Sequence, residues 1–367
     1  MRKISLICCA LLSVAVLACN KTEDPNTKPE KPTPEKPEPE PEPKPEPEPQ
    51  NSAIIVVGQE YLSDKEFYDA VMWVDGKRFA FTKGEHDSFC NAVYTYKDSV
   101  FIAATEAVGE LVSDEYYGDY NENNGVVYSF KIGEEDKFKR TVYGGVKGKS
   151  TASGVAYSNG NIYVSGFDSP GFDRRALYWK NEQKFELTDG SVDALAYCVA
   201  ADGDDVYVGD GVLAKVNKIV IEDGHVYAAG AYRDAVNGGN WQGAIWIDGK
   251  MTLFTEKVGI EVGGLYVKDG NWIVNGNMTL EDGTISAYNW YSDGSVEALT
   301  PGAALCQGLG VTKLGDDVYS LTCAYSMNMS TYEDIYKGSL LKNKEKVEME
   351  VHSPDNFTFW DLTVARY

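Results

Sequence analysis

A pattern of four short strands recurs along most of this chain and limits what it can fold into. The clearest copy runs from Thr151 to Gly190 and holds four runs of alternating apolar residues, GVAYS, NIYVSG, ALYWK and KFELT. Tight turns such as Asn-Gly separate the runs, and these pairs between alternating strands are a strong hairpin signal. Each copy therefore predicts a four-stranded antiparallel sheet, and a row of copies buries the apolar faces between neighbours.

Further copies with the same strand order lie on both sides of this one. The complete ones cover Asn91 to Tyr143, Lys218 to Glu256, Gly263 to Thr300 and Gly308 to Val351. An incomplete copy starts at Ser52 without a first strand, and the chain ends on a lone strand, Phe357 to Tyr367. We expect the lone strand to complete the incomplete copy, because this closes the copies into a ring and removes both exposed sheet edges.

The predicted fold class is therefore all-β, a β-propeller of six four-stranded blades closed by the C-terminal strand. A further hairpin pattern, YCVAADGDDVYVG, lies between Ala194 and Lys215 and lacks third and fourth strands. If it is a truncated blade, the ring has seven blades. Four tryptophans occupy equivalent places in the third strands, and we interpret them as packing between blades rather than as a ligand platform. They are Trp73, Trp179, Trp246 and Trp290.

The first 19 residues have the features of an export signal. Arg2 and Lys3 precede an apolar run, Ile4 to Leu17, that is too short to span a bilayer. The ending Val-Leu-Ala-Cys at Cys19 resembles the lipobox of bacterial lipoproteins. That resemblance implies a signal peptide over residues 1–18, cleavage before Cys19 and acylation of this cysteine, which would hold the protein on a membrane.

Residues 19–51 predict a disordered spacer that follows the lipidated cysteine. Eleven of the 14 prolines of the chain lie between Pro25 and Pro49, among Glu and Lys, and such a segment forms neither helix nor sheet. Lys21, Glu23 and Asp24 also resemble the acidic export tag of surface lipoproteins in gut Gram-negative bacteria. The resemblance implies an outer-membrane protein whose domain, residues 52–367, faces the cell exterior. The alternative is that these charges are merely the start of the spacer.

Charge and cysteine content exclude some functions. Asp and Glu outnumber Lys and Arg by 56 to 34, a net charge of -22, so we expect no nucleic-acid partner. Four cysteines remain after the leader and Cys19, too few for a disulfide scaffold. Cys306 and Cys323 flank a hairpin near Gly315 that could bring them together, but we expect buried free thiols.

The connections between strands differ in length, and this difference indicates where a ligand binds. The first and second strands of each copy are joined by minimal turns, whereas the connections between second and third strands are long. These connections cover Gln59 to Tyr68, Glu106 to Asn124, Phe167 to Arg175, Tyr232 to Gln242, and Ala324 to Tyr336. Because strands alternate in direction, all of them emerge on one face, and insertions gathered on one face of a scaffold are typical of a binding surface.

Aromatic and polar residues of these connections favour a glycan as the ligand, since aromatic rings stack on sugar faces and polar groups bond hydroxyls. The candidate ligand-binding residues are Tyr68, Tyr116, Tyr117, Tyr120, Asp168, Phe172, Arg174, Tyr232, Trp241 and Tyr332. We expect binding without catalysis. One alternative is a glycoside hydrolase or lyase that uses acids in loops of the same face, and another is a module that binds proteins of the cell envelope. The acids concerned are Asp114, Glu115, Asp168, Asp173, Asp234, Asp282, Glu333 and Asp334.

Cofactor signals are few. The three histidines are scattered and form no zinc pattern with the cysteines. The run from Asp119 to Gly125 alternates oxygen-bearing side chains but lacks the Gly and Glu that an EF-hand needs at its sixth and twelfth positions. We therefore expect no cofactor, and a structural calcium near Asp119 is the one candidate ion.

Overall fold

The computed structural model describes ten ranges of the chain, and β-strands dominate them. These ranges are residues 4–8, 51–82, 86–114, 118–144, 149–169, 173–210, 214–233, 239–300, 305–330 and 333–367. Within them the only helical element is a 3₁₀ turn, Glu135–Lys137. No helix in this part of the chain is both long enough and apolar enough to cross a membrane. The predicted all-β class is confirmed.

Four separate sheets each contain four consecutive antiparallel strands, which is a propeller arrangement. The first holds β5 (Ser88–Tyr96), β6 (Ser99–Asp114), β7 (Gly118–Lys131) and β8 (Lys139–Tyr143). The second holds β9 (Ser150–Ser158), β10 (Asn161–Asp168), β11 (Arg175–Lys180) and β12 (Gln183–Glu186). The third holds β15 (Ala214–Glu222), β16 (His225–Tyr232), β17 (Gln242–Ile247) and β18 (Lys250–Val258). The fourth holds β19 (Ile260–Lys268), β20 (Asn271–Thr279), β21 (Ile285–Tyr291) and β22 (Val296–Ala298).

A larger sheet contains the two ends of the domain. One half holds β23 (Cys306–Leu314), β24 (Asp317–Asn328), β25 (Glu333–Lys342) and β26 (Glu345–Val347). The other half holds β27 (Asn356–Arg366), β2 (Ser52–Leu62), β3 (Phe67–Val74) and β4 (Lys77–Ala80), in that spatial order. Among the described strands, the backbone ladders of the two halves are joined only where β27 and β25 pair in parallel over two residues. Since β27 pairs with β2 from Ser52↔Arg366 to Glu60↔Phe357, the predicted closure by the C-terminal strand is confirmed.

A two-stranded unit lies between the second and third of the separate sheets. It is the hairpin β13 (Cys198–Asp202) and β14 (Asp205–Asp210), and β1 (Ile4–Cys8) pairs with the outer edge of β14 in parallel. This β1 segment falls inside the predicted signal peptide. The hairpin decides between six and seven blades, and that count stays a prediction.

The first strands of these units form a closed ring around the molecular centre. They pack side by side in the order β5, β9, β13, β15, β19, β23 and β27, and β27 packs again on β5. The apolar faces of successive sheets fill the wedges between them. Trp73 and Trp179 are fully buried there, and Trp246 and Trp290 are almost so. Their predicted role as packing residues is confirmed.

Three of the predicted long connections consist mostly of paired β-strand rather than of loop. Pairing between β6 and β7 continues outward to Asp114↔Gly118, and that between β24 and β25 continues to Asn328↔Glu333. Likewise β2 and β3 pair as far as Leu62↔Phe67. The expectation of loops over these stretches was wrong, because polar residues that alternate with Tyr and Val continue a two-stranded ladder beyond the packed core.

Candidate functional site

The ring of first strands encloses a central cavity of about 1500 Å³. Each of the seven strands contributes lining residues, so the cavity lies on the axis of the ring. One mouth opens on the face where second strands connect to third strands, which we call the long-connection face. In β9, for example, Ser150 at the start of the strand pairs with Asp168 at the end of β10. The start of each first strand therefore lies at this face.

A β-bulge recurs at the same place in six of the seven first strands. The pairing register shifts by one residue between Cys90 and Ala92 of β5, and equivalent shifts occur in the pairs of β9, β15, β19, β23 and β27. A bulge leaves one extra residue unpaired and redirects its side chain. The extra residues all line the cavity, and they are Asn91, Ser153, Asn217, Gly263, Leu309 and Trp360. We call them the bulge ring.

The sequence around each bulge explains why the strand distorts there. Two residues after the bulge residue stands a buried aliphatic side chain, which anchors the strand in the packed wedge. These anchors are Val93, Val155, Ile219, Leu265, Val311 and Leu362. The strand β13 has the same order of residue types, with Tyr197 in the bulge position and Val199 as the anchor, and Tyr197 also lines the cavity.

The residue between bulge and anchor is small in most strands, because neighbouring first strands approach closely at this level. A Cβ on Gly264 would lie 2.6 Å from the Cα of Gly310. A Cβ on Gly154 would lie 3.0 Å from the Cα of Cys198 in β13. Glycine at these places therefore reflects the tight convergence of strands on the ring axis.

Two first strands carry charged residues at that position, and these form an ion pair. Lys218 Nζ of β15 lies 2.6 Å from Asp361 Oδ2 of β27. The same carboxylate oxygen accepts a hydrogen bond from the Val93 backbone N–H at 3.0 Å, and Oδ1 accepts one from Leu362 N–H at 2.9 Å. Asp361 is 2% exposed, so these partners together compensate a buried charge.

An exposed tryptophan and several amides line the cavity toward the long-connection face. Trp360 is 39% exposed, and its Nε1 donates a hydrogen bond to Gln59 Oε1 at 3.3 Å. Asn91 Nδ2 donates to Thr105 Oγ1 and to the Ala152 carbonyl, which fixes the orientation of its amide. The exposed Gln307 lines the same cavity. The cavity thus combines an accessible indole with polar groups for hydrogen bonding.

Trp241 also lines the cavity and is flanked by two cations. Lys215 Nζ lies 5.1 Å from its ring centroid, and Arg233 Cζ lies 5.2 Å from it. Both distances are those of cation–π contacts. The Trp241 carbonyl accepts a hydrogen bond from Ile260 N–H at 3.2 Å, which ties the loop that carries the ring to the next first strand.

The ten predicted ligand-binding residues are not brought together at one place. Trp241 lines the central cavity, whereas Tyr68, Asp168, Arg174 and Tyr232 do not. Residues Tyr116, Tyr117, Phe172 and Tyr332 lie outside the described residues, and so does the side chain of Tyr120. The same holds for Cys19 and for the side chain of Asp119, next to which the calcium ion was expected.

Two of these predicted residues take part in ion pairs of the fold. Asp168 is fully buried and accepts hydrogen bonds from Arg175 Nε at 2.9 Å and Nη2 at 2.8 Å. Arg174 binds Asp193 through Nε at 2.8 Å and through a second nitrogen at 2.5 Å. This guanidinium lowers the pKa of Asp193 to about 2.

Tyr68 is partly buried, and the four cysteines of the domain are buried. Burial raises the pKa of the Tyr68 phenol, and its ring packs on Tyr61. Cys90, Cys198, Cys306 and Cys323 are all buried and free, as expected. Burial raises the pKa of Cys198 to about 12 and that of Cys323 to about 11. Inert thiols are therefore expected at these positions.

One group of acids among the described residues is close enough to share a cation. It consists of Glu222, Asp223 and Asp269, at the tight turns on the opposite face. Lys268 Nζ lies 3.0 Å from Glu222 and 3.9 Å from Asp269, so a lysine already neutralises part of this charge. The group is mostly exposed and does not touch the cavity lining.

Comparisons with known proteins show likeness in structure only. No family model matches the chain, and no curated protein matches it. Hydrazine synthase of Kuenenia stuttgartiensis is 10% identical with a TM-score of 0.48, over 87% of this chain and 47% of that one. Acylaminoacyl peptidase of Pyrococcus horikoshii is 11% identical with a TM-score of 0.35, over 83% and 51%. The α-L-arabinofuranosidase of Clostridium thermocellum is 9% identical with a TM-score of 0.36, over 73% and 95%.

This chain therefore spans about half the length of the hydrazine synthase and of the peptidase. At such identities the likeness concerns the fold and carries no activity to this chain.

Proposed function

We propose that this protein binds a glycan, without catalysis, at the mouth of its central cavity on the long-connection face. The observation that carries the proposal is the bulge ring, which places one residue from each of six first strands at the cavity, the exposed Trp360 among them. An accessible indole stacks on the apolar face of a sugar, and the amides of Asn91 and Gln307 can bond its hydroxyls. A cavity of about 1500 Å³ exceeds the roughly 300–1,000 Å³ of most small-molecule pockets, which suits several sugar units.

Binding is favoured over hydrolysis by the state of two of the three acids that the described residues place at the cavity. The described lining residues include three carboxylates, Asp98, Glu261 and Asp361. Asp361 is paired with Lys218, and Lys131 lies 2.6 Å from Asp98 and lowers the pKa of that carboxyl. A glycosidase needs a carboxylic acid with a raised pKa beside a second carboxylate, and an acid with a lowered pKa is a poor proton donor.

The proposal includes a place for the protein in the cell. The lipobox ending at Cys19 and the Pro-rich spacer support a lipid anchor in the outer membrane with the propeller on the exterior side. We further propose that the ring has seven blades, with β13–β14 as a truncated one. The repeated order of bulge residue, small or charged residue and aliphatic anchor supports this count, because it occurs in all seven first strands.

Retention in native gels that contain polysaccharides tests the glycan proposal. We expect Trp360→Ala to weaken retention about tenfold, since a lost aromatic stack costs ~1.5 kcal/mol. Tyr96→Ala is the matched control, because Tyr96 is also exposed but does not line the cavity. Equal retention of both variants on every retained polysaccharide would contradict the proposal. Release of reducing ends during the same incubations would favour the hydrolase instead, and co-purifying envelope proteins without sugar affinity would favour the protein-binding module.

A further inference from the structure

We propose that the bound glycan is acidic and that Lys215 and Arg233 form the subsite for its negative groups. This inference rests on the proposed function, which it makes more specific. The subsite lies beside Trp241, at the edge of the cavity on the long-connection face.

The fold fixes both cations against one ring. Lys215 stands near the start of β15, where it pairs with Ala231 of β16, and Arg233 follows directly after the last residue of β16. The ring of Trp241 precedes β17 and meets both side chains at cation–π distance. Because the indole ring already restrains these two long side chains, they lose less conformational entropy when a ligand binds.

Neither cation has an acidic partner among the described residues. Two other lysines do have one: Lys218, which lines the cavity, pairs with Asp361, and Lys131 pairs with the lining residue Asp98. The described part of the chain contains no ion pair of Lys215 or Arg233, although Glu261 lines the same cavity. In a chain of net charge -22, two neighbouring cations to which the described residues offer no carboxylate partner are suited to an anionic ligand.

The charges of the whole cavity agree with this assignment. Its described lining contains five cationic residues and three acidic ones, although acids outnumber bases in the chain by 56 to 34. The cationic ones are Lys97, Lys215, Lys218, Lys313 and Arg366, and the acidic ones are Asp98, Glu261 and Asp361. A concave site focuses the field of its lining charges, so the cavity attracts anions that the outer surface repels.

The ligand groups that fit are the carboxylate of a uronic acid or the sulfate ester of a sulfated sugar. Both present two or more oxygens to the planar fork of an arginine and accept from a lysine as well. Their sugar rings provide the apolar face that an exposed indole such as Trp360 binds.

Binding of the full-length protein to three probes tests the inference. The probes are polygalacturonate for carboxylate, dextran sulfate for sulfate ester and neutral dextran, each at low and at moderate salt. We expect at least one acidic probe to bind about tenfold tighter than dextran at low salt and to lose affinity as salt rises. Lys215→Gln and Arg233→Gln should each weaken that probe about tenfold, the effect of losing one charge-assisted hydrogen bond.

Lys250→Gln is the matched control, because Lys250 is an exposed lysine on the outer strand β18 of the same sheet. Its affinity should equal that of the unmodified protein. If neutral and acidic probes bind alike and Trp360→Ala weakens both, the acidic subsite is refuted and the glycan proposal stands. If neither acidic probe binds, the acidic subsite is refuted, and retention on the other polysaccharides in native gels decides the glycan proposal. If Lys250→Gln weakens binding as much as Lys215→Gln, the attraction is a general effect of charge and the subsite is refuted.

Discussion

Three acids that the sequence places in long connections are instead structural parts of their sheets. Glu60, Glu106 and Asp168 are each at most 8% exposed and stand near the long-connection end of a packed second strand. Each pairs with an arginine of the same sheet. A buried carboxylate without such a partner would be costly, so the pairs explain how acids are tolerated beside the apolar wedges.

Asp168→Asn tests whether this residue serves the fold or the ligand. The substitution keeps the shape and removes the charge, so Arg175 and Lys184 lose their buried partner, although Glu186 lies 2.9 Å from Arg175 and compensates in part. We expect a loss of about 2–3 kcal/mol in the free energy of unfolding and unchanged glycan retention. Urea unfolding and gel retention measure the two effects. Lost retention at full stability would restore Asp168 as a ligand-binding residue.

The pair of Arg174 and Asp193 predicts a pH effect of known sign. The pKa of Asp193 is about 2 in the folded protein, against an ordinary value of 3.8 for an aspartate, so the pair stabilises the fold above pH 3.8. That contribution is lost as the pH falls toward 2. Both side chains are more than one-third exposed, so Arg174→Gln should cost less than about 1 kcal/mol at neutral pH.

An NMR titration of Asp193 measures this effect directly. In Arg174→Gln we expect the pKa of Asp193 to rise toward 3.8, and the stability difference between the two proteins to vanish as the pH falls through about 2. Lys137→Gln is a control, since Lys137 pairs with Glu134 in a different sheet region. An Asp193 pKa that stays near 2 in Arg174→Gln would show that Arg174 is not its cause.

The strands and tight turns could be predicted from the sequence because their signals are local. Asn159 and Gly160 have φ of 46° and 78°, the left-handed values that a two-residue hairpin turn requires, and Asn-Gly is the preferred pair for them. The alternation of Tyr and Val with polar residues then fixes which face of each strand is buried. These two signals suffice for the order of strands and for the closure by β27.

The candidate site could not be predicted in the same way, because it depends on a bulge. If side chains alternated strictly between the two faces along NFTFWDLTVAR, every residue of β27 would have a partner in β2. In the structure the pairing register shifts by one residue, so Trp360 has no partner and lines the cavity. A signal was present: the repeated order NAV, SGV, NKI, GGL, LGV and WDL, with an aliphatic anchor in third place. Only the ring geometry shows that the first residue of each triplet faces the axis.

The length of a connection does not mark the site, for a related reason. The sequence shows that second and third strands are separated by many residues, but a polar ladder and a polar loop have similar compositions. Pairing between β6 and β7 therefore emerged only from the structure. Trp241, at the end of its connection, does line the cavity, and Lys215 and Arg233 contact its ring.

The whole ring is held closed by one sheet that joins the two ends of the domain. Asn51 and Tyr367 exchange both backbone hydrogen bonds at 3.1 Å, and β27 pairs with β2 beyond them. The cavity depends on this closure, because β27 supplies both Trp360 and Asp361 to its lining. Opening the ring would thus remove stability and the proposed binding site together.

Two circular permutants test how much closure of the ring contributes to the free energy of unfolding. Both join the original ends, so only the closure differs between them. Since Asn51 and Tyr367 are adjacent, a short Gly/Ser linker can join them in both permutants. In the first, new ends at Gly190 and Ser191 fall between β12 and β13, so no sheet contains both ends. In the second, new ends at Asn159 and Gly160 split the hairpin of β9 and β10, so pairing of these strands again closes the ring.

We expect the first permutant to lose about 2–4 kcal/mol in the free energy of unfolding, similar to the loss of a cross-link that closes a long loop. The second should remain within about 1 kcal/mol of the original chain, because a strand ladder still joins its first and last segments. Urea unfolding gives both values, and glycan retention reports whether the cavity persists. If both permutants are equally stable, packing between the sheets holds the ring closed and the shared sheet adds little. If only the second is weakened, the tight turn matters more than the closure.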